Sequence, residues 1–454
     1  MGNGRAIAIG AVLAACVNLG ACASYAPSEL AKGPVLAASP ERLTVDLSKL
    51  RPAPLRAHKF DPSDGLDPTE VAILATLNNP ELRAKRAAAD VAAAQAFAAG
   101  LLPDPQVTFS LDFPTNPAAG FTTAYNVAPS LDLMALITHS AALRAARAFA
   151  SKADLELLWA EWSTAQQARQ LAVTALADEE KAKVLGALAR RLGERFRQSR
   201  AAFDRGDLAA SVTGGDLAAK LDAEAVLATA QHDAAKARGD LNALLGLEPA
   251  SRLNLVASGA VVDPKATALD AALASLADRR PDLLALKAGY GAQDANLRKA
   301  ILMQFPVVNL GFSHAGDTSA VVTNGVAATI TIPIFNRGRG EIKVQAATRE
   351  QLRAEYQARL DQTVADAAAA RREREASRLM IDRLEGRVPE LLAMAAWAQE
   401  PYRRGDIDSA AFLALEQSAL NHQVALLDQR LAFELAGISL ETVLFLPSDP
   451  GVQP

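Results

Sequence analysis

Gln106-Val107-Thr108-Phe109-Ser110-Leu111-Asp112-Phe113 sets an apolar side chain at every second position and a polar one between. A period of two is the mark of a strand with one wet and one apolar face. After a loop rich in Pro and Gly, Tyr125-Asn126-Val127-Ala128-Pro129-Ser130-Leu131-Asp132-Leu133 alternates again. Far along the chain a second pair follows, Val308-Asn309-Leu310-Gly311-Phe312-Ser313 and Val326-Ala327-Ala328-Thr329-Ile330-Thr331-Ile332. The spacing predicts strands at about 106–113, 125–133, 307–313 and 325–332.

What surrounds the strands is duplicated too. Asn79-Pro80-Glu81-Leu82 opens an Ala-rich helix before the first pair, and Arg280-Pro281-Asp282-Leu283 opens one before the second, with 281 − 80 = 201. Phe203-Asp204-Arg205-Gly206-Asp207-Leu208 is echoed by Tyr402-Arg403-Arg404-Gly405-Asp406-Ile407, with 405 − 206 = 199. Helix, strand pair, long helix, turn and helix therefore occur twice. The predicted organisation is a first repeat over 67–250 with its hairpin tip near 206, a connection over 251–266 and a second repeat over 267–447 with its tip near 405.

No proline lies between Pro129 and Pro249. A helix over 135–204 would reach about 105 Å at 1.5 Å per residue, and helices over 208–247 (~60 Å) and 267–302 (~50 Å) would together run its length. Leu171, Ala175, Asp178, Ala182, Leu185, Ala189 and Leu192 form a heptad-like stripe with Asp178 as its polar interruption, which suits a coiled-coil seam. In the second repeat the long helix over 338–404 contains Pro389 and Pro401, which should kink or break it. Arg371-Arg372-Glu373-Arg374-Glu375 mixes both signs and reads as a solvated helix face.

Half of the 454 residues are hydrophobic but only 5% are aromatic, so alanine-mediated helix packing is favoured over a bulky core. Lys plus Arg (47) nearly balances Asp plus Glu (51), for a net charge of −4. Without a basic tract, nucleic acid is not an expected partner. At the start, Arg5, the apolar run Ala6 to Val17 and Leu19-Gly20-Ala21-Cys22 read as a signal peptide over 1–21 ending in a lipobox, with Cys22 as the lipid-bearing, palmitate-carrying residue. Cys16 in Leu13-Ala14-Ala15-Cys16 also fits but leaves a short apolar run. Residues 22–66 are proline-rich and form an extended leader laid along the body, and Asp67-Pro68-Thr69-Glu70 reads as a capped helix start. The final residues, 448–454, read as a tail. Past residue 22 no apolar run is long enough for a transmembrane helix, so any membrane crossing must use strands.

Four amphipathic strands leave two open edges, and unpaired backbone groups in hydrocarbon cost several kcal/mol each, so one copy cannot span a bilayer alone. At this point the chain resembles the outer membrane factor family, the TolC-like channels, over essentially its whole mature length. The matching residues are Asn79-Pro80-Glu81-Leu82 with Leu101-Leu102-Pro103-Asp104-Pro105, the junction Pro333-Ile334-Phe335-Asn336-Arg337-Gly338-Arg339-Gly340, and the turns at Gly206 and Gly405. The resemblance implies a mainly α protein with a β-barrel part, a homotrimer with a twelve-stranded barrel in the outer membrane, continuous with a helical barrel in the periplasm. It implies an efflux lipoprotein that exports metal cations or drugs, with a periplasmic adaptor and an inner-membrane pump of the resistance-nodulation-division type as partners. The junction looks more like the metal-cation branch than the drug branch. The tips, Gly206, Asp207, Leu208, Gly405, Asp406 and Ile407, are the expected adaptor-docking residues. Asp406 and Asp408 are candidate gate carboxylates, although the family's acid ring falls where this chain has Ala411 and Ala414.

No catalytic constellation, cofactor motif or metal site is expected, so the chain does not read as an enzyme. His58, His139, His232, His314 and His422 are scattered singly, with His314 expected in an outer loop and His139 near a helix start. The glycines at 338 and 340 lack the Gly-Lys-Ser/Thr ending of a phosphate loop and read as a strand-to-helix corner. Three other readings compete. A periplasmic adaptor also joins a lipid anchor to a coiled-coil hairpin, but usually carries one hairpin within β-rich modules. A pore-less coiled-coil lipoprotein leaves the alternating strands unexplained. Within the family, a type I protein secretion channel is the alternative.

Overall fold

The computed structural model describes residues 25–56, 58–115, 120–257 and 266–446. Cys16, Cys22 and the tail at 448–454 lie outside the described residues. The chain divides into two units, Met1–Leu36 and Ala37–Pro454. Of the first, residues 25–36 are described and hold no helix or strand. Every element below belongs to the second.

After two single turns of 3-10 helix at Pro40–Arg42 and Leu47–Lys49 come α1 (Ala53–Arg56), α2 (Pro68–Asn78) and α3 (Pro80–Gly100). Strands β1 (Gln106–Asp112) and β2 (Ala124–Asp132) lead into α4 (Leu133–Asp204) and α5 (Ala210–Leu245). The second repeat comprises α6 (Ala266–Ala274), α7 (Leu276–Arg279), α8 (Pro281–Leu302), β3 (Val307–Gly316), β4 (Val322–Thr331), α9 (Arg339–Glu385), α10 (Val388–Trp397), α11 (Gln399–Arg404) and α12 (Ser409–Leu444).

Helix starts follow from capping chemistry. Asp67 accepts from the amides of Thr69 (2.7 Å) and Glu70 (2.9 Å), while Glu70 accepts from the amide of Asp67 (3.0 Å), a reciprocal capping box with Pro68 at the first turn. Asn79 caps α3 through the Leu82 amide (2.9 Å) and donates to the Leu244 carbonyl (2.8 Å). Arg280 holds the equivalent place before α8 but makes no side-chain cap; it donates instead to the Val443 carbonyl (3.1 Å). The two acceptors are 443 − 244 = 199 positions apart. Helices α5 and α12 are both 36 residues long and start 409 − 210 = 199 positions apart. Each ends on a left-handed residue, Gly246 (φ 72°) and Phe445 (φ 52°). The duplication is thus structural, down to individual hydrogen bonds.

Helix α4, with 72 residues, extends ~108 Å by its rise. Along it pack α5, α8, α12, α3 and α2. The leader from Ala37 onward lies against the middle of these helices, where Leu43, Leu66, Val71 and Leu74 are buried against Ala168, Ala172 and Ala175 of α4 and Leu241 and Leu245 of α5. Beside them Leu50, Leu55 and Ile73 enclose the fully buried Trp162. Its indole N–H donates to the Thr442 carbonyl (3.1 Å), and the Phe445 ring meets it edge-on at 5.2 Å.

Several expectations need correction. The helix expected over 267–302 is three pieces, interrupted at Ser275 and Arg280. The helix expected over 338–404, by contrast, breaks where its prolines imply, at Gly386–Arg387 and at Ala398, just before Pro389 and Pro401. A proline ring collides with the preceding turn and offers no amide to it, so the break falls upstream of the ring. The run at 371–375 is not wholly solvated: Arg374 is buried, its guanidinium 4.6 Å from the Phe433 ring centroid and against Gly437. β3 and β4 run three residues further toward their connecting loop than expected, so His314 lies within β3 rather than in a loop.

Candidate membrane face and hairpin tips

The four strands form one antiparallel sheet in the order β1-β2-β3-β4, with β1 and β4 at the edges. Its register fixes which side chains share a face, because partners directly opposite point the same way. Phe109 pairs with Val127, and Val127 with His314. Leu131 pairs with Leu310, Phe312 with Val326, and Val308 with Ile330. One face therefore carries Val107, Phe109, Leu111, Val127, Leu131, Val308, Leu310, Phe312, Val326 and Ile330. Many of these are strongly exposed, Phe109 at 62% and Val326 at 85%. The opposite face carries Thr108, Ser110, Asn126, Ser130, Asn309, Ser313, Thr323 and Thr329, and no Lys or Arg.

The apolar face ends in a polar group at the loop end. His314 Nδ1 lies 2.7 Å from Asn324 Oδ1, and its Nε2 lies 3.2 Å from the Tyr125 hydroxyl. The Tyr125 ring lies over Gly316, where a Cβ would come within 2.5 Å of it. Among the described residues no helix is long and apolar enough to cross a membrane.

At the other end of the long helices are the two tips. Gly206 and Gly405 have φ of 83° and 81° and open space where a Cβ would stand. The turn itself, rather than crowding, calls for glycine. Asp207 pairs with Arg205 (2.9 Å) and Asp406 with Arg404 (3.0 Å). Asp408 accepts from the Ala411 amide (2.7 Å) and caps α12. Leu208 and Ile407 are half-buried, and the two glycines and Asp207 and Asp406 are exposed.

The two hairpins are tied together just behind the tips by a residue the sequence did not single out. Arg195 of α4 reaches Asp216 of α5 (2.8 Å) and the Ser409 carbonyl and hydroxyl at the start of α12. Its guanidinium also lies 5.0 Å from the Tyr402 ring centroid, and Tyr402 stacks on Phe412 at 4.7 Å. The aromatic pair beside the second tip was the available signal; nothing local marks Arg195 among its neighbouring arginines. Further from the tips, Lys181 bridges α4 to Asp428 of α12 (2.8 Å), and Arg191 to Glu416 (3.4 Å).

Two carboxyls of α4 have displaced acidities. Burial holds Glu161 above the usual carboxylate range, against the pull of Arg86 at 2.8 Å. Burial, then the neighbouring Asp233, raise Asp178 as well, opposed by Lys181. Among the described residues no group of three or more His, Cys, Asp or Glu could hold a metal ion. The junction at Asn336-Arg337-Gly338 is a corner in which Arg337 (φ 49°) and Gly338 (φ 67°) are both left-handed.

No protein-family model and no curated protein matches the chain. Solved structures do. The outer-membrane channel OprN superposes with a TM-score of 0.71 at 18% identity, over 94% of this chain and all 100% of that one. The CmeC outer membrane channel of Campylobacter jejuni gives 0.70 at 16% identity, over 83% of this chain and 85% of its own. The MtrE outer membrane channel of Neisseria gonorrhoeae, in its open state, gives 0.65 at 18% identity over 94% and 98%. The fold is that of the outer membrane factor, TolC-like, channels.

Proposed function

We propose that three copies of this chain close their sheets into a twelve-stranded outer-membrane barrel and form the passive exit duct of a tripartite efflux system. The observation that carries this reading is the sheet. Its register gathers the large exposed apolar side chains on one face and polar ones, Asp112 and Asp132 among them, on the other, on strands continuous with a 72-residue helix. A face of that kind suits lipid outside and water inside.

The duplication supports the oligomer and indicates how it closes. Helix α8 packs between α4 and α9 and buries Leu283, Ala285, Gly289, Ala292, Ala295, Leu297 and Ala300. Its counterpart α3 packs on α4 and buries only Leu82 and Ala92, leaving Val91 and Phe97 exposed. If repeats alternate around a ring, the contacts of α4 with α8 and of β2 with β3 recur as contacts of α9 with α3 and of β4 with β1 in the next copy. Both open sheet edges are then paired.

In this reading Cys22 carries the lipid, the tips at Gly206, Asp207, Leu208, Gly405, Asp406 and Ile407 receive a periplasmic adaptor, and an inner-membrane pump of the resistance-nodulation-division type supplies metal cations or drugs. No catalytic step is needed, because the duct only conducts. Asp406 and Asp408 are candidate gate carboxylates, which three-fold symmetry would multiply into rings at the mouth. The test is native mass spectrometry of the detergent-extracted protein with conductance in planar bilayers. A trimer that conducts is expected; a monomer, or a trimer that never conducts, overturns the reading.

A further inference from the structure

The 199-residue equivalence allows the seam between α4 and α12 to be compared, position by position, with the one it implies between α9–α10 of one copy and α5 of the next. This rests on the closed-ring reading above. Within the chain the seam near the tips sets cationic bridges around an apolar core: Lys181 with Asp428, Arg191 with Glu416, and Arg195 with Ser409. Adding 199 to the first member of each pair and subtracting it from the second gives Met380 with Thr229, Glu390 with Leu217, and Met394 with Ala210. All three cationic partners have become uncharged or acidic, and both anionic ones have become uncharged.

The exposed surface agrees with the substitution. Leu420 is 6% exposed where it packs against Leu185, Leu188 and Leu192, yet its counterpart Leu221 is 53% exposed. Trp397, the counterpart of Gln198, is 75% exposed, and Met394 is 53% exposed. Leu221 and Met394 lie on solvent-facing flanks of α5 and α10, at positions whose counterparts Leu420 and Arg195 make contact in the other repeat, whereas Gln198, the counterpart of Trp397, bonds to Glu194 of its own helix. Apolar residues at equivalent contact positions on two helices are matched to each other, so the occupant is a second copy of this chain.

We propose that Met380, Glu390 and Met394 of one copy meet Thr229, Leu217 and Ala210 of the next in a seam with no ion pair across it, so that joints bridged by ion pairs within a copy alternate with unbridged joints between copies. Two experiments on the full-length trimer test it. A short bismaleimide applied to Met394→Cys with Ala210→Cys should yield covalent dimers and trimers on denaturing gels. The same reagent on Arg195→Cys with Ser409→Cys should cross-link within one chain and leave the monomer band. Separately, Leu217→Glu should face Glu390 and abolish the trimer in detergent, whereas Leu217→Arg should retain it, now with sensitivity to salt. A 394/210 pair that gives no inter-copy product in a protein whose native mass is trimeric, or equal behaviour of the Glu and Arg variants, overturns the seam while leaving the duct reading intact. A chain that is monomeric before any substitution overturns both.

Discussion

Glu161 has no solvent exposure, and its carboxylate lies 2.8 Å from Arg86, 3.9 Å from Arg51 and in reach of little else. Removing one partner of such a pair strands a charge, which costs about 3–5 kcal/mol. Arg86→Ala should lower the chemical-denaturation free energy by roughly that amount, and Arg86→Ala with Glu161→Gln should restore part of it. Asp178 is displaced in the same direction as Glu161, and pH tests it. Its raised pKa means that the folded chain holds the proton more tightly than the unfolded one, so the group favours folding most below the unfolded value of about 3.9. That contribution fades as pH climbs through the folded value. Asp178→Asn should therefore raise the melting temperature at pH 7, and the gain should shrink toward pH 4. A gain that grows on acidification would show that Asp178 is held ionised by Lys181 instead. At this scale the sequence was least informative: Asp178 stood out as the one polar residue in an apolar stripe, but the partners of Glu161, Arg195 and Arg374 come from helices far away in the chain, and no local pattern names them.

At the scale of elements, alternation and proline placement told most of the story. The strands were legible because a one-residue slip would turn the apolar face inside out, so the pattern has to be strict. Phe109→Arg puts a charge on that face at about 2–4 kcal/mol per copy if the face meets lipid, whereas Thr108→Arg turns to the polar side. Loss of heat-resistant oligomer for the first and its retention for the second is the expected result on gels. Helix α4 was legible because nothing in it breaks a helix. The breaks before Pro389 and Pro401 were foreseen, and the one at Arg280 falls before Pro281, already read as a helix start; the one at Ser275 was not foreseen, since serine is an acceptable helix former. The extra length of β3 and β4 was hidden because Gly316 and Gly325 interrupt the alternation. Tyr125 covers one and Ser313 the other.

For the whole molecule, the duplicated order of elements was enough to foresee the fold, and the solved channels with which it superposes share less than a fifth of its residues at aligned positions. What sits at the tips was less accessible. Asp408 spends its carboxylate on the Ala411 amide and Asp406 on Arg404, uses that compete with a role in gating. Asp406→Asn with Asp408→Asn is expected to lower cation selectivity in planar bilayers and weaken block by trivalent cations; asparagine still caps a helix, so folding is preserved. Unchanged selectivity would leave those residues as local structure only.

The ion pair between Lys181 and Asp428 is half open to water, and that makes dissolved electrolyte a lever on one kind of joint. Added salt screens partly exposed charges within a few ångströms, while sulfate and similar ions strengthen apolar contact. A wall whose joints alternate in character would loosen within each copy and tighten between copies in the same solution. Its stiffness would thus depend on the medium in which it stands, with no ligand required.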